Sequence, residues 1–382
     1  MLTHSLRLSS FFRRGFNLLV LSALLAAVPL AAAFAAAGDT ELASVSSAGV
    51  QGNAASDHPS LSSDGRYVTF QSDASNLVAG DTNGFTDIFV RDLQTGTNVR
   101  VSVDSSGTQA NNASQKPVIS GNGRYIAFQS SATNLVAGDT ITEVDIVGRG
   151  LQTGTTVRVS VDSSGNQSNQ GSENASITAD GNYVVFSSPA SNLVAGDGNG
   201  TADIFLHELS SGDTTRISVD SSGNESDNSS NNPFISSTGR YVVFDSYATN
   251  LVAGDTNAEQ DIFLHDLNND STVRISVDGS GNQANGGSSL PRITADGNYV
   301  AYSSDASNLV AGDGNTSTDV FVLNRNTGDV ERVSVSSSGD EGNNGSFEPA
   351  ISDDGRYVAF WAYATNLATP VAVNPQIYVH DR

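Results

Sequence analysis

An all-β fold made from six copies of one four-stranded unit is what this sequence predicts, and three observations predict it. Equivalent residues recur at a fixed spacing: Asp81, Asp139, Asp197, Asp255 and Asp313 are each 58 residues apart, and so are Arg100, Arg158, Arg216, Arg274 and Arg332. An Asn-Leu pair returns six times without an insertion, at Asn76, Asn134, Asn192, Asn250, Asn308 and Asn366. Short apolar runs alternate with Gly turns throughout each period, and no segment carries a helical period.

The first strand of a period is short and carries a proline, as in HPSLS from His58; proline fits the start of a strand, where no ladder donor is yet needed. The second, RYVTFQS from Arg66, follows the tight Asp64-Gly65 turn. A long polar loop then leads to the third, DIFVRDL from Asp87, and the Thr95-Gly96 turn delivers the fourth, NVRVSV from Asn98. Val, Ile, Phe, Tyr and Thr suit pleated strands, and Asp-Gly or Thr-Gly between apolar runs marks a hairpin.

Four antiparallel strands repeated six times predict a six-bladed β-propeller. The two ends of the chain are complementary: IYVHDR near the C-terminus matches the third strand, and ELASVSSAG near the start matches the fourth strand and linker of VERVSVSSSG. The N-terminal strand is therefore expected to complete the last blade and close the ring, which pairs exposed strand edges without a disulfide; the chain has no cysteine. The segments PSLSSDGRYVTF and DIFVRDL resemble the blades of the TolB-type six-bladed propellers built from WD-like repeats, and the resemblance runs through residues 38–382. It implies the same six-bladed architecture. The tryptophan and second proline usual in the first strand of that family are missing.

Residues 1–37 have the layout of an export signal: Arg7, Arg13 and Arg14, then an apolar core from Leu18 to Leu30, then small residues ending at Ala37. This predicts a secreted or periplasmic monomer with no stable membrane span once the signal is removed. Its loss leaves 15 basic side chains against 41 acidic ones, a formal charge of −26, which excludes nucleic acid as a partner.

Propeller topology puts the loop between strands two and three on the same face as the linker from strand four to the next blade. That long-loop face, rich in Asp, Asn, Ser and Gly, is where binding of a protein or a glycan is expected. Its acidic turn places oxygen donors at positions one, three and seven: Asp81, Asn83, Asp87; Asp197, Asn199, Asp203; Asp255, Asn257, Asp261; Asp313, Asn315, Asp319. The fifth position adds Thr201, Glu259 and Ser317, whereas the second blade has Ile141 at position three and the sixth reads TPVAVNPQ. Oxygen-rich turns of this kind serve either as ligands to a hard cation such as Ca²⁺ or as Asx turns that fold the loop without metal. Leu-Val-Ala of each NLVAGD is expected to pin its loop by burial, and the repeated arginines are expected to be solvated or paired with Asp.

A selective site should lie where one blade departs from the others. The residue just before the first strand reads His58, Lys116, Asn174, Asn232, Leu290 and Glu348, and Lys116 is the only lysine in the chain. Glu348, His58 and Lys116 fall in neighbouring blades and either bind a polar or anionic ligand at the channel mouth or have drifted at an exposed loop position. Trp361 and Tyr363, with Tyr247 equivalent to Tyr363, are aromatic departures suited to stacking on a sugar or packing between blades. There is no G-x-S-x-G and no H-E-x-x-H. A non-catalytic binding propeller, calcium-stabilised where the acidic turns bind metal, is the leading reading; a polysaccharide hydrolase or lyase working through Glu348 and His58 is the alternative.

Overall fold

The computed structural model describes residues 40–368 and 375–382. The expected signal segment and most of TPVAVNPQ lie outside the described residues. Five sheets have four strands in the order one-two-three-four, and the sixth has three. In the first blade the strands are Ser56–Leu61, Tyr67–Ser72, Asp87–Asp92 and Thr97–Arg100, all antiparallel. Turns fall where the glycines predict them, with Gly65 at φ 69° and Gly96 at φ 68°, a region open to residues without a Cβ. Among the described residues no helix is long and apolar enough to cross a membrane.

The fourth strand is shorter than NVRVSV predicts, and a serine explains the difference. Ser102 Oγ accepts the Ile88 amide hydrogen at 3.1 Å, so a side chain takes the place of the next ladder carbonyl. Ser160, Ser218, Ser276 and Ser334 do the same in the following blades. The chain then turns towards the next blade, where Val103 bridges Gln109.

The core lies between blades as well as within them. Ile88 and Val90 of the first blade's third strand share one cluster with Ile126 and Phe128 of the second blade's second strand. The leucine of each Asn-Leu pair is buried, from Leu77 to Leu367, and the following valine of blades one to five packs half-buried on the same core, whereas Ala79 is exposed, so leucine and valine supply the anchor. The preceding asparagine ties the two long loops together: Asn134 Oδ1 accepts from Asn111 N at 3.0 Å and its Nδ2 donates to Gln109 O at 2.8 Å. The two loops therefore share one face.

The boundary between blades six and one differs from the other five. Ile377 and Val379 are 73% and 65% exposed, whereas Val320 and Val322, their counterparts in blade five, are fully buried. Leu61 and Tyr357, which flank the same boundary, are 59% and 40% exposed. The segment from Glu41 to Asn53 already lies on blade one in the register of a blade-to-blade linker. Asn98 donates to Val45 O at 2.7 Å and to Ser47 Oγ at 2.8 Å, as Thr156 does to Val103 O and Ser105 Oγ. Among the described residues this segment forms no strand beside Gln376–Asp381, and the last sheet ends at three strands.

Candidate functional site

The acidic turns are built around an arginine. Asp87, fully buried at the head of its strand, accepts from Ser102 Oγ at 2.5 Å, and Arg100 Nη1 lies 3.4 Å from its Oδ2 and 3.2 Å from Asp81 Oδ1. Arg158, Arg216, Arg274 and Arg332 pair in the same way with both aspartates of their own blades. The repeated arginine is thus Asp-paired and largely buried. Asn83 Oδ1 accepts the Phe85 amide hydrogen at 3.0 Å, and its Nδ2 donates to Asp87 Oδ2 at 3.0 Å and to Ala110 O at 3.1 Å. Asn199, Asn257 and Asn315 also spend their oxygens on the amide two residues ahead. The turns therefore have Asx geometry, with amide nitrogens rather than oxygens facing the carboxylates.

Two further acids join this constellation, Glu225 and Glu341, which the position-one-three-seven pattern does not include. They come from the linker that follows the fourth strand, where the other blades carry Gln109, Gln167 and Gln283. Gln283 Nε2 donates to both Asp255 and Asp261 at 2.8 Å. Where glutamate replaces it, three carboxylates converge: Asp197, Asp203 and Glu225, and Asp313, Asp319 and Glu341, each offering one oxygen within 4.8 Å of the others. These two groups could hold a metal ion. Arg216 pairs with Glu225, and Arg332 Nη1 lies 2.6 Å from Glu341. Burial, followed by the nearby Asp203 charge, pushes the Asp197 carboxyl up to about 6, and its buried Oδ2 has no hydrogen-bond partner. Burial likewise pushes Asp319 to about 6.

The second constellation is the channel mouth. His58, Lys116, Asn174, Asn232, Leu290 and Glu348 all adopt φ between 49° and 57°, at a bulge in the first strand. All six line one cavity of about 450 Å³. The structure thus brings together the six positions that the period singles out. Side chains link several of them: Lys116 Nζ donates to Asn174 Oδ1 at 3.0 Å, and Asn232 Nδ2 donates to Asp245 Oδ2 at 2.9 Å. Asp245 also accepts from Gln260 Nε2 at 2.7 Å and from the Leu290 amide at 3.0 Å. Burial pushes Asp245 up to about 6 despite these donors. His58 Nδ1 lies 3.3 Å from Asp57 Oδ1, with both side chains exposed.

Trp361 and Tyr363 pack with Phe347, a residue not singled out from the sequence. The Phe347 and Trp361 rings stack at 4.9 Å, and Tyr363 meets Trp361 edge-on at 5.1 Å. Trp361 stands at the position of Gln71, Gln129, Ser187, Asp245 and Ser303, on the blade-six side of the exposed boundary. Tyr247 is 44% exposed.

No family model and no curated protein matches the chain. Solved structures do. A putative TolB from Agrobacterium tumefaciens is similar at 16% identity over 86% of this chain and 91% of that one, with a TM-score of 0.48. The β-propeller domain of the trilobed protease from Pyrococcus furiosus matches at 11% identity over 86% and 83% of the two chains, with a TM-score of 0.52. A structure from a study of two prolyl endopeptidases matches at 12% identity and a TM-score of 0.53, over 86% of this chain but 41% of that one. At these identities the last two show a shared propeller fold.

Proposed function

We propose that the protein is an exported, non-catalytic propeller that binds a protein or glycan ligand on its long-loop face, at the mouth of the central channel. One observation carries the reading. Left-handed backbone is tolerated best by Gly, Asn and Asp, and other L-residues pay about 1–2 kcal/mol there. A purely structural position would therefore converge on Asn, as blades three and four do with Asn174 and Asn232. His58, Lys116, Leu290 and Glu348 keep the strained backbone with different chemistry, and strain concentrated at one cavity supports a ligand site.

Residues 1–37 support export as a signal, with residues 38–382 forming one ring closed by the N-terminal strand in a monomer. The open edge of Gln376–Asp381 and the linker register of Glu41–Asn53 both favour that closure. Calcium is proposed only for the acidic clusters of blades three and five, where a third carboxylate joins the two aspartates; in blades two and four glutamine donates to both aspartates instead. A melting temperature lowered by a chelator supports it; an unchanged one leaves arginine as the sole counter-charge.

Glu348 and His58 share the cavity, so turnover of a polysaccharide there is the second reading. A panel of immobilised neutral and acidic glycans, probed with and without Ca²⁺ and followed for product release, tests both. Retention without cleavage is expected. Cleavage abolished by Glu348→Gln would replace the binding reading with the enzymatic one, and retention on no glycan would remove the glycan partner.

A further inference from the structure

Beside Lys116 and Glu348 the channel holds a further charged side chain that the repeat does not explain. Two residues beyond the left-handed position, the blades read Ser60, Val118, Ser176, Phe234, Arg292 and Ala350. Arg292 faces the cavity. Its Nη1 donates to Pro291 O at 2.8 Å and its guanidinium lies over the Phe234 ring at 5.1 Å. It makes no ion pair among the described residues, and none of their acceptors takes its Nε or Nη2. The repeated arginines, by contrast, are each held by two aspartates. Moving a guanidinium out of bulk water is costly unless its donors are used, so a half-buried fork with free N–H groups favours a planar anion that can take two of them.

The rest of the cavity narrows the choice. Lys116 uses one of its three donors on Asn174 and leaves two for a ligand. Glu348 lines the same space and repels a dianion, which favours a carboxylate over a phosphate. Phe234, Pro59, Pro117 and Pro233 provide apolar wall for a carbon skeleton, and Glu348 and the Asn232 carboxamide can bond hydroxyls.

We infer that the channel binds a small hydroxylated carboxylate, held through its carboxylate by Arg292 with Lys116 as the second cation. This rests on the channel mouth being the binding site. Hexuronates have this chemistry, and glucuronate differs from glucose only in carrying the carboxylate, so the pair isolates the claim.

Titration calorimetry with glucuronate, glucose and inorganic phosphate tests it on the wild type, Arg292→Ser and Lys116→Asn. Both substitutions reproduce residues that other blades carry at the same positions, and a melting curve checks that the variants fold. Glucuronate is expected to bind at least tenfold more tightly than glucose or phosphate. Arg292→Ser is expected to remove that preference, and Lys116→Asn to reduce it less. Tighter phosphate binding, equal binding of both sugars, binding unaffected by Arg292→Ser, or no binding of glucuronate would each overturn the inference. If both sugars bind equally and both are lost in Glu348→Asn, the mouth remains the site and only the carboxylate assignment falls. Binding that survives every mouth substitution overturns both.

Discussion

Gln71 Oε1 accepts the amide hydrogen of Lys116 at 2.8 Å, across the boundary between the first two blades. Gln129, Asp245 and Ser303 hold the amides of Asn174, Leu290 and Glu348 in the same way. At the last boundary the acceptor position holds Trp361, whose indole can only donate, and the His58 amide has no such partner among the described residues. With Ile377 and Val379 uncovered there as well, the boundary between blades six and one should open first. Hydrogen exchange is expected to show the His58 amide losing protection well before those of Lys116 and Leu290; equal protection would contradict this.

The buried ion pairs give a second prediction. Asp261 is fully buried and accepts from Ser276 and Gln283 while facing Arg274. Asp261→Ala leaves Arg274 with Asp255 as its one remaining carboxylate partner and takes the acceptor from Ser276, and should cost about 3–5 kcal/mol, measured by denaturant unfolding. Adding Arg274→Met should recover part of that loss, because a half-compensated buried charge is gone while Gln283 still donates to Asp255. A double variant less stable than Asp261→Ala would contradict the ion-pair account.

A third prediction concerns pH. Asp245 is pushed from 3.8 to about 6 in the folded protein, so between these values the native state binds more protons than the unfolded chain. Stability from this group is then present below about pH 4 and is lost as the pH rises through 6, by ~3 kcal/mol. Asp245→Gln, the residue of blades one and two, should flatten the stability profile across that window. A profile identical to wild type would contradict the shift.

Much of this was legible in the sequence, for reasons particular to the repeat. A 58-residue period fixes every blade to one register, so the strand starting at Asp87 and the ring from His58 to Glu348 follow from counting. The six positions of the channel mouth could be lined up because the period aligns them, and their residues differ from blade to blade. Glu225 and Glu341 were not found with the acidic turns because they approach from a linker 28 residues beyond Asp197 and Asp313, although a Gln-to-Glu change within the repeat carried the signal. Arg292 was missed because strand alternation says which face a residue takes, not that the face is a channel wall. The exposed edge of Ile377 and Val379 was beyond pattern reading, because apolar periodicity records what can be buried and not what covers it.

The most direct test of the channel mouth as the binding site makes its six positions alike. A variant carrying His58→Asn, Lys116→Asn, Leu290→Asn and Glu348→Asn places at each the residue that left-handed backbone accommodates best. Binding of this variant and of the wild type to the same glycan panel is the measurement. The account predicts an unchanged or higher melting temperature with ligand retention lost; a variant that melts like wild type and still retains ligand would contradict it.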